Sequence, residues 1–187
     1  MIFNFKNTEI SVSFSFFALI AFFVITDKIG AIPIFLFSVL LHELTHLLVM
    51  WLLGSGAKEI NLSVMGADIK PRCLPSPMGQ FFIHLSAPLF NLLLFLIFKD
   101  KFPLFSAVNF LIAFINLLPI GSLDGGNCIN VIINKLCDYD EKFKAKRIAN
   151  LIFGSILSSF FLYMTFKYHL NPLFTSAIIL MSFDNEI

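Results

Sequence analysis

Two histidines four residues apart flank a glutamate in the run His42-Glu43-Leu44-Thr45-His46. On a helix, positions i and i+4 share a face, so both imidazoles can reach one metal ion. Glu43 directly follows the first histidine, where its carboxylate can take a proton from a water held beside the metal. At this composition a His-Glu-x-x-His pattern arises by chance about 0.002 times per chain, so the match is specific. As a mere polar patch inside a helix bundle, the same residues would leave a charge and several donors to satisfy away from water, which is costly.

The motif supplies two ligands. A catalytic zinc takes three protein ligands and keeps a fourth position open. Finding the third requires the surroundings of the motif, and these are apolar. The chain has 187 residues, of which 58% are hydrophobic, 25 are Phe and 13% are charged, with a mean hydropathy of +0.87. Soluble domains carry about 25% charged residues, and disordered chains combine low hydrophobicity with high net charge. Both classes are excluded. What remains is an all-α polytopic membrane protein, a single domain over residues 1–187 with no room for a large soluble appendage. The net charge of +1 offers no basic excess for a nucleic-acid backbone. Cys73, Cys128 and Cys137 form no CxxC pair and read as free thiols.

A crossing helix needs roughly 20 mostly apolar residues. Apolar runs at 10–26, 30–53, 79–98, 103–134 and 148–166, with a short one at 170–183, predict about six spans. The first follows Lys6, as a signal peptide would, but Thr26-Asp27-Lys28-Ile29-Gly30 carries no small-x-small cleavage pattern, so it reads as a retained helix. With the N-terminus in the cytoplasm, nine basic residues are cytoplasmic: Lys6, Lys58, Lys70, Arg72, Lys135, Lys142, Lys144, Lys146 and Arg147. Four, Lys28, Lys99, Lys101 and Lys167, lie outside. That asymmetry favours a cytoplasmic N-terminus in the cell membrane. Between the second and third spans, Ile60, Leu62 and Val64 alternate with Asn61 and Ser63 ahead of Gly66. A short β-hairpin and a plain connector both fit that loop, residues 54–78. The mixed-charge stretch 135–147 reads as a solvated cytoplasmic linker.

Only His42, Glu43, His46, His84 and Asp124 are ionisable residues inside these spans. A carboxylate at membrane depth costs on the order of 3 kcal/mol, so such a residue has a partner or a task. The third ligand is therefore His84 or Asp124. His46 lies eight residues before Gly54, about 12 Å of helix from the cytoplasmic end. Asp124 lies eleven residues before Lys135, at comparable depth on a span that also descends toward the cytoplasm. His84 enters its span by only about five residues and suits a hydrogen-bonded interfacial role better than ligation. Around Asp124, Pro119, Gly121, Gly125 and Gly126 interrupt an apolar segment, which predicts a broken fourth helix. Irregular backbone at that depth belongs where protein buries it or it lines a wet cavity.

These pieces resemble the site-2 protease family of intramembrane zinc metalloproteases. The resemblance rests on His42-Glu43-Leu44-Thr45-His46, on Asn116…Pro119…Leu123-Asp124-Gly125, and on Ser86-Ala87-Pro88-Leu89-Phe90-Asn91, together covering roughly residues 30–134. In its compact form the chain is most similar to the sporulation stage IV FB branch. The resemblance implies that His42, His46 and Asp124 bind one Zn²⁺ and that Glu43 is the general base. It implies that Asn116, and Asn91 with it, meet the substrate, and that the 54–78 element pairs with an unwound substrate segment. Departures are Ser86-Ala87-Pro88 where Ala-Gly-Pro is usual, Ser122 where a second proline is common, and Asn127 where an arginine often follows Asp-Gly-Gly. They bear on helix packing, substrate fit and the outer edge of the site, and leave the metal set intact. A PDZ insertion and a C-terminal regulatory domain are not expected.

The implied activity is hydrolysis of peptide bonds in or near transmembrane segments, of a transcription-factor precursor or an anti-sigma factor. Expected partners are a transmembrane protein substrate and membrane lipids, with a membrane regulator or a second copy of the chain as further ones, and no nucleic acid. Two rivals differ in class. A gluzincin-type peptidase needs a downstream glutamate as third ligand, and Glu59, Glu141 and Glu186 all fall outside the spans. A non-catalytic zinc-binding membrane protein, either a pseudoprotease or a metal transporter, is the other. A transporter would spread acidic and histidine sites along a path, whereas here they condense into one set.

Overall fold

A computed structural model describes residues 2–5, 8–27, 30–63, 66–120, 123–136 and 139–168. The expected short span at 170–183 lies outside the described residues, as do Ser122 and Cys137. In chain order the elements are β1 (Ile2–Phe5), β2 (Thr8–Val12), α1 (Phe14–Thr26), α2 (Ala31–Leu52), β3 (Ala57–Ser63), β4 (Gly66–Pro71), α3 (Pro77–Phe98), α4 (Pro103–Asn116), α5 (Asp124–Leu136) and α6 (Tyr139–Tyr168). They fall into two compact units, Met1–Phe114 and Ile115–Ile187.

In the first unit the four strands form one sheet in the order β1-β2-β3-β4. β3 and β4 are antiparallel and pair Ile60 with Ile69 and Leu62 with Ala67. The alternation in the 54–78 loop is thus a hairpin, not a plain connector. β1 and β2 form a second antiparallel hairpin. β2 runs parallel to β3, with Glu9 opposite Glu59 and Val12 opposite Leu62, and the Thr8 hydroxyl reaches the Ala57 carbonyl at 2.9 Å. This pairing corrects the expected first span. Residues 8–12 are spent in a strand, and Ser13 then caps α1 by accepting from the Phe16 N–H at 3.3 Å. α1 has 13 residues, about 20 Å of helix against the roughly 30 Å of a bilayer core.

α2 and α3 have 22 residues each, and among the described residues these two helices are long and apolar enough to cross a membrane. Their burial is inside-out relative to a soluble protein. On α2 the buried positions are Ser38, His42, His46 and Met50, one turn apart. The exposed face holds Phe37, Leu40, Leu44 and Leu48. On α3 the buried stripe is Gly79, Ile83, Ala87, Asn91 and Leu94, and Phe82, Leu89, Leu93 and Leu96 face out. Only 17% of the apolar window of α2 and 22% of that of α3 is buried. A soluble protein's core helix would be mostly buried, whereas these exposed apolar faces suit a membrane. Ser38 on α2 and Ala87 on α3, both at 0% exposure, are small residues of the kind that let membrane helices approach closely. α4 joins this unit through Ser106, whose hydroxyl donates to the Phe95 carbonyl at 2.9 Å, and through the Phe95–Phe110 and Phe98–Phe105 ring pairs, 5.0 and 5.5 Å apart.

In the second unit the expected break in the fourth span is present: one helix ends at Asn116 and the next starts at Asp124. Pro119 has no N–H to continue a helix. Instead, the Ile120 N–H donates to the Leu118 carbonyl at 2.8 Å and the Leu123 N–H to the Ile120 carbonyl at 3.1 Å. The expected linker at 135–147 is mostly helix, since α5 reaches Leu136 and α6 starts at Tyr139. Its Glu, Lys and Ala residues are strong helix formers, and no Pro or Gly interrupts them. The expected fifth span, 148–166, is the C-terminal part of the 30-residue α6.

Candidate metal centre

His42 and His46 lie one turn apart on the buried face of α2, with ring centroids 4.9 Å apart and planes nearly perpendicular. Each ring turns Nδ1 toward oxygen on α3. His46 Nδ1 lies 2.9 Å from the Ile83 carbonyl, and His42 Nδ1 lies 2.7 Å from Asn91 Oδ1. A backbone carbonyl only accepts, so His46 Nδ1 carries the hydrogen and Nε2 keeps its lone pair. That is how metal-binding histidines are commonly oriented, with the far ring nitrogen donating to an oxygen. Glu43, the next residue along α2, is half-buried.

Asp124 opens α5 as the acid of its first turn and is buried. A carboxylate there is favoured by the unpaired N–H groups and the positive end of the helix dipole. Its position depends on the next residue. A Cβ on Gly125 would lie 2.3 Å from the Leu117 carbonyl oxygen and 2.6 Å from that of Leu118. Only glycine lets the start of α5 press against those backbone groups.

His42, His46 and Asp124 form a buried group able to hold a metal ion, each offering one ligand atom within 4.8 Å of the others. Two imidazole nitrogens and a carboxylate oxygen form a donor set that suits zinc and leaves room for a fourth position. The donor chemistry and the oriented Nδ1 atoms therefore fit a zinc ion. Among the described residues, this is the group with metal-holding geometry. His84 is not part of it; its half-buried ring stands 6.2 Å from that of His46.

The asparagines expected to meet substrate differ. Asn116 is the last residue of α4 and half-buried. Asn91 is fully buried, and both ends of its amide contact protein groups: Oδ1 faces His42, and Nδ2 donates to Asn109 Oδ1 at 2.7 Å. Asn109, also at 0% exposure, is a neutral amide and so lies outside the set of ionisable residues in the spans. An amide in an apolar run such as Ala107-Val108-Asn109-Phe110-Leu111 carries the same demand for a partner. Ser38, one turn before His42 on the same helix face, was legible in the same way.

No sequence-family model matches the chain, and no curated protein matches it. The fold is similar to that of a solved structure, the site-2 protease from Methanocaldococcus jannaschii, with a TM-score of 0.60 over 97% of this chain and 89% of that one, at 21% sequence identity. The chain thus has the fold of a site-2 protease, and this likeness gives no support to the narrower sporulation branch.

Proposed function

We propose that this protein is an intramembrane zinc metalloprotease that cleaves peptide bonds within or near transmembrane segments of other membrane proteins. The observation that carries the reading is the buried His42, His46 and Asp124 donor group beside a glutamate in sequence register to act as base. The site-2 protease fold supports it. A pseudoprotease would share the fold and the ligands, and the intact Glu43 beside them favours catalysis.

Zinc bound to these three side chains supplies Lewis acidity, polarising the scissile carbonyl and making water a nucleophile near neutral pH. Glu43 accepts the proton that the attacking water gives up and delivers it to the leaving amine. His42 and His46 keep Nδ1 on oxygen of α3. The substrate must unwind locally, because a helix hides its carbonyls in its own hydrogen bonds. The edges of the sheet and Asn116 can take over those bonds by strand addition. Counted with α1 as a crossing helix, the distribution of Lys and Arg favours a cytoplasmic N-terminus, with the site toward that side and water entering from there. A transcription-factor precursor or an anti-sigma factor tethered by one span is the proposed substrate class.

The test is co-expression with single-span candidate substrates, comparing wild type with Glu43→Gln. The variant is expected to keep its zinc and lose cleavage by about 10²–10⁴-fold. Undiminished cleavage in Glu43→Gln would remove Glu43 as the base. A purified wild type that takes up no zinc would overturn the reading as a metalloprotease.

A further inference from the structure

We infer that Asn109 is a positioning residue: through Asn91 it fixes which ring nitrogen of His42 carries the hydrogen, and so keeps Nε2 bare for a metal. The metal-binding half of this inference rests on the proposed function; the state of the His42 ring does not.

The four groups form one buried hydrogen-bonded chain. Asn109 Nδ2 lies 2.8 Å from the Phe105 carbonyl and 3.0 Å from Ser38 Oγ. Asn91 Nδ2 lies 2.7 Å from Asn109 Oδ1, and His42 Nδ1 lies 2.7 Å from Asn91 Oδ1. An amide can turn over and exchange its oxygen and nitrogen, so each link alone is ambiguous. The Phe105 carbonyl removes the ambiguity, because it can only accept. Asn109 must therefore point its NH₂ at Phe105, which aims its oxygen at Asn91. Asn91 must then present its NH₂ to Asn109 and its oxygen to His42. An amide oxygen only accepts, so Nδ1 of His42 is the protonated nitrogen.

Burial makes this ordering stringent. Asn91 and Asn109 are at 0% exposure and Ser38 at 0%, so no water can repair a reversed link. One reversed amide would set two donors or two acceptors face to face, at about 1–3 kcal/mol for each group left unsatisfied. The other ligand histidine needs no such relay, since the Ile83 carbonyl meets its Nδ1 directly. Asn91 is thus a fork between two helices, and the direction of its amide is decided on α4, by a residue that touches no ligand.

The experiment uses the full chain in detergent micelles, metal-free, with ¹⁵N in the histidine rings, at about pH 8 where histidine is ordinarily neutral. The His42 resonances are assigned by their loss in His42→Gln. Wild type is expected to show His42 protonated at Nδ1 and bare at Nε2. In Asn109→Leu the amide of Asn91 is free to turn, so His42 should move toward the opposite tautomer. Zinc affinity, read by competition with a chromophoric chelator, should fall about 10–100-fold. Adding Asn91→Asp to Asn109→Leu presents oxygen to His42 in either orientation, and should restore the tautomer and most of the affinity. Packing damage from the leucine is common to the single and double variants, and the added carboxylate attracts zinc by its charge, so the rescue is judged on the ring nitrogens. A wild-type His42 protonated at Nε2 overturns the inference, as does zinc affinity unchanged in Asn109→Leu or a loss that persists in the double variant. If Asn109→Leu yields no folded protein, the wild-type ring nitrogens alone decide. A wild type that binds no zinc would count against the metalloprotease reading, and the relay would still be judged on the ring nitrogens.

Discussion

The α2–α3–α4 core and the turn before α5 solve the same problem in opposite ways. Both hold polar groups in an apolar setting. In the core the helices stay regular, and side chains do the work: Ser38, Asn91, Asn109 and His42 satisfy one another in a chain anchored on a single backbone carbonyl. At the turn the backbone does the work. Pro119 ends helical pairing, the freed carbonyls turn onto nearby N–H groups, and Gly125 gives up its Cβ so that α5 can start against Leu117 and Leu118. The core specifies the direction of hydrogen bonds, and the turn specifies the position of a helix end. A conservative change should therefore be tolerated better in the core, where a link can be remade, than at Gly125, where there is no space to remake.

Gly125→Ala is the largest perturbation that this comparison predicts. The added carbon would fall 2.3 Å from the Leu117 oxygen, and backbone cannot yield as a flexible side chain does. The start of α5 must shift, and Asp124 with it. A displacement of about 1 Å of a reacting group costs about 10²-fold in rate, and overpacking of this kind costs about 1–3 kcal/mol of stability. Zinc per chain and cleavage of a co-expressed substrate should both fall. Wild-type values for both would show that the close approach does not position Asp124, and would break the contrast with the core.

Ser38→Ala sharpens the same contrast from the other side. It removes one of the two acceptors that Asn109 Nδ2 faces, and leaves the Phe105 carbonyl in place. Thermal stability should drop by about 1–3 kcal/mol for the buried N–H that loses its acceptor, while zinc affinity stays within a few-fold of wild type because the direction of the relay survives. A loss of zinc as large as that in Asn109→Leu would mean that Ser38, not Phe105, sets the direction.

The sequence was most legible where the apolar background made exceptions rare. His42, Glu43, His46 and Asp124 stood out for that reason, and the Pro119–Gly126 stretch announced a broken helix. Ser38 and Asn109 were equally exceptional in type, but a search for ionisable groups passes over neutral amides and hydroxyls, whose burial is costly too. The first span starts later than its apolar run because Glu9-Ile10-Ser11-Val12 has the period of a strand, and its partner, β3, lies some fifty residues away. A parallel pairing of that range leaves no local signature. The 135–147 tract is mostly helix for the converse reason: its charges suit a solvated loop and a solvated helix equally, and helix propensity decides between them.

The smallest effect belongs to the sheet, where neither a relay nor a close approach operates. Glu59 on β3 and Lys70 on β4 are register partners, joined by a 3.0 Å ion pair open to solvent. The hydrogen bond from Lys70, helped by Lys58, holds the Glu59 carboxyl below its ordinary range, and Glu59 in turn holds the Lys70 ammonium above its own. The signs are opposite. A lowered carboxyl stabilises the fold above its unfolded pKa and loses that contribution as pH falls through its folded value; a raised ammonium stabilises it below its unfolded pKa and loses that contribution as pH rises through its folded value. The pair should therefore help fully between about 4.5, the ordinary glutamate value, and about 10.5, the ordinary lysine value, and its help should fade beyond either end. Comparing melting curves of wild type and Lys70→Gln across pH should give a small, salt-sensitive difference near neutrality that fades in acid, because exposed pairs are screened. A difference that grew in acid would mean that Lys70 acts on another carboxylate or through packing. Zinc affinity in Lys70→Gln should match wild type, because the hairpin contributes no donor to the metal group.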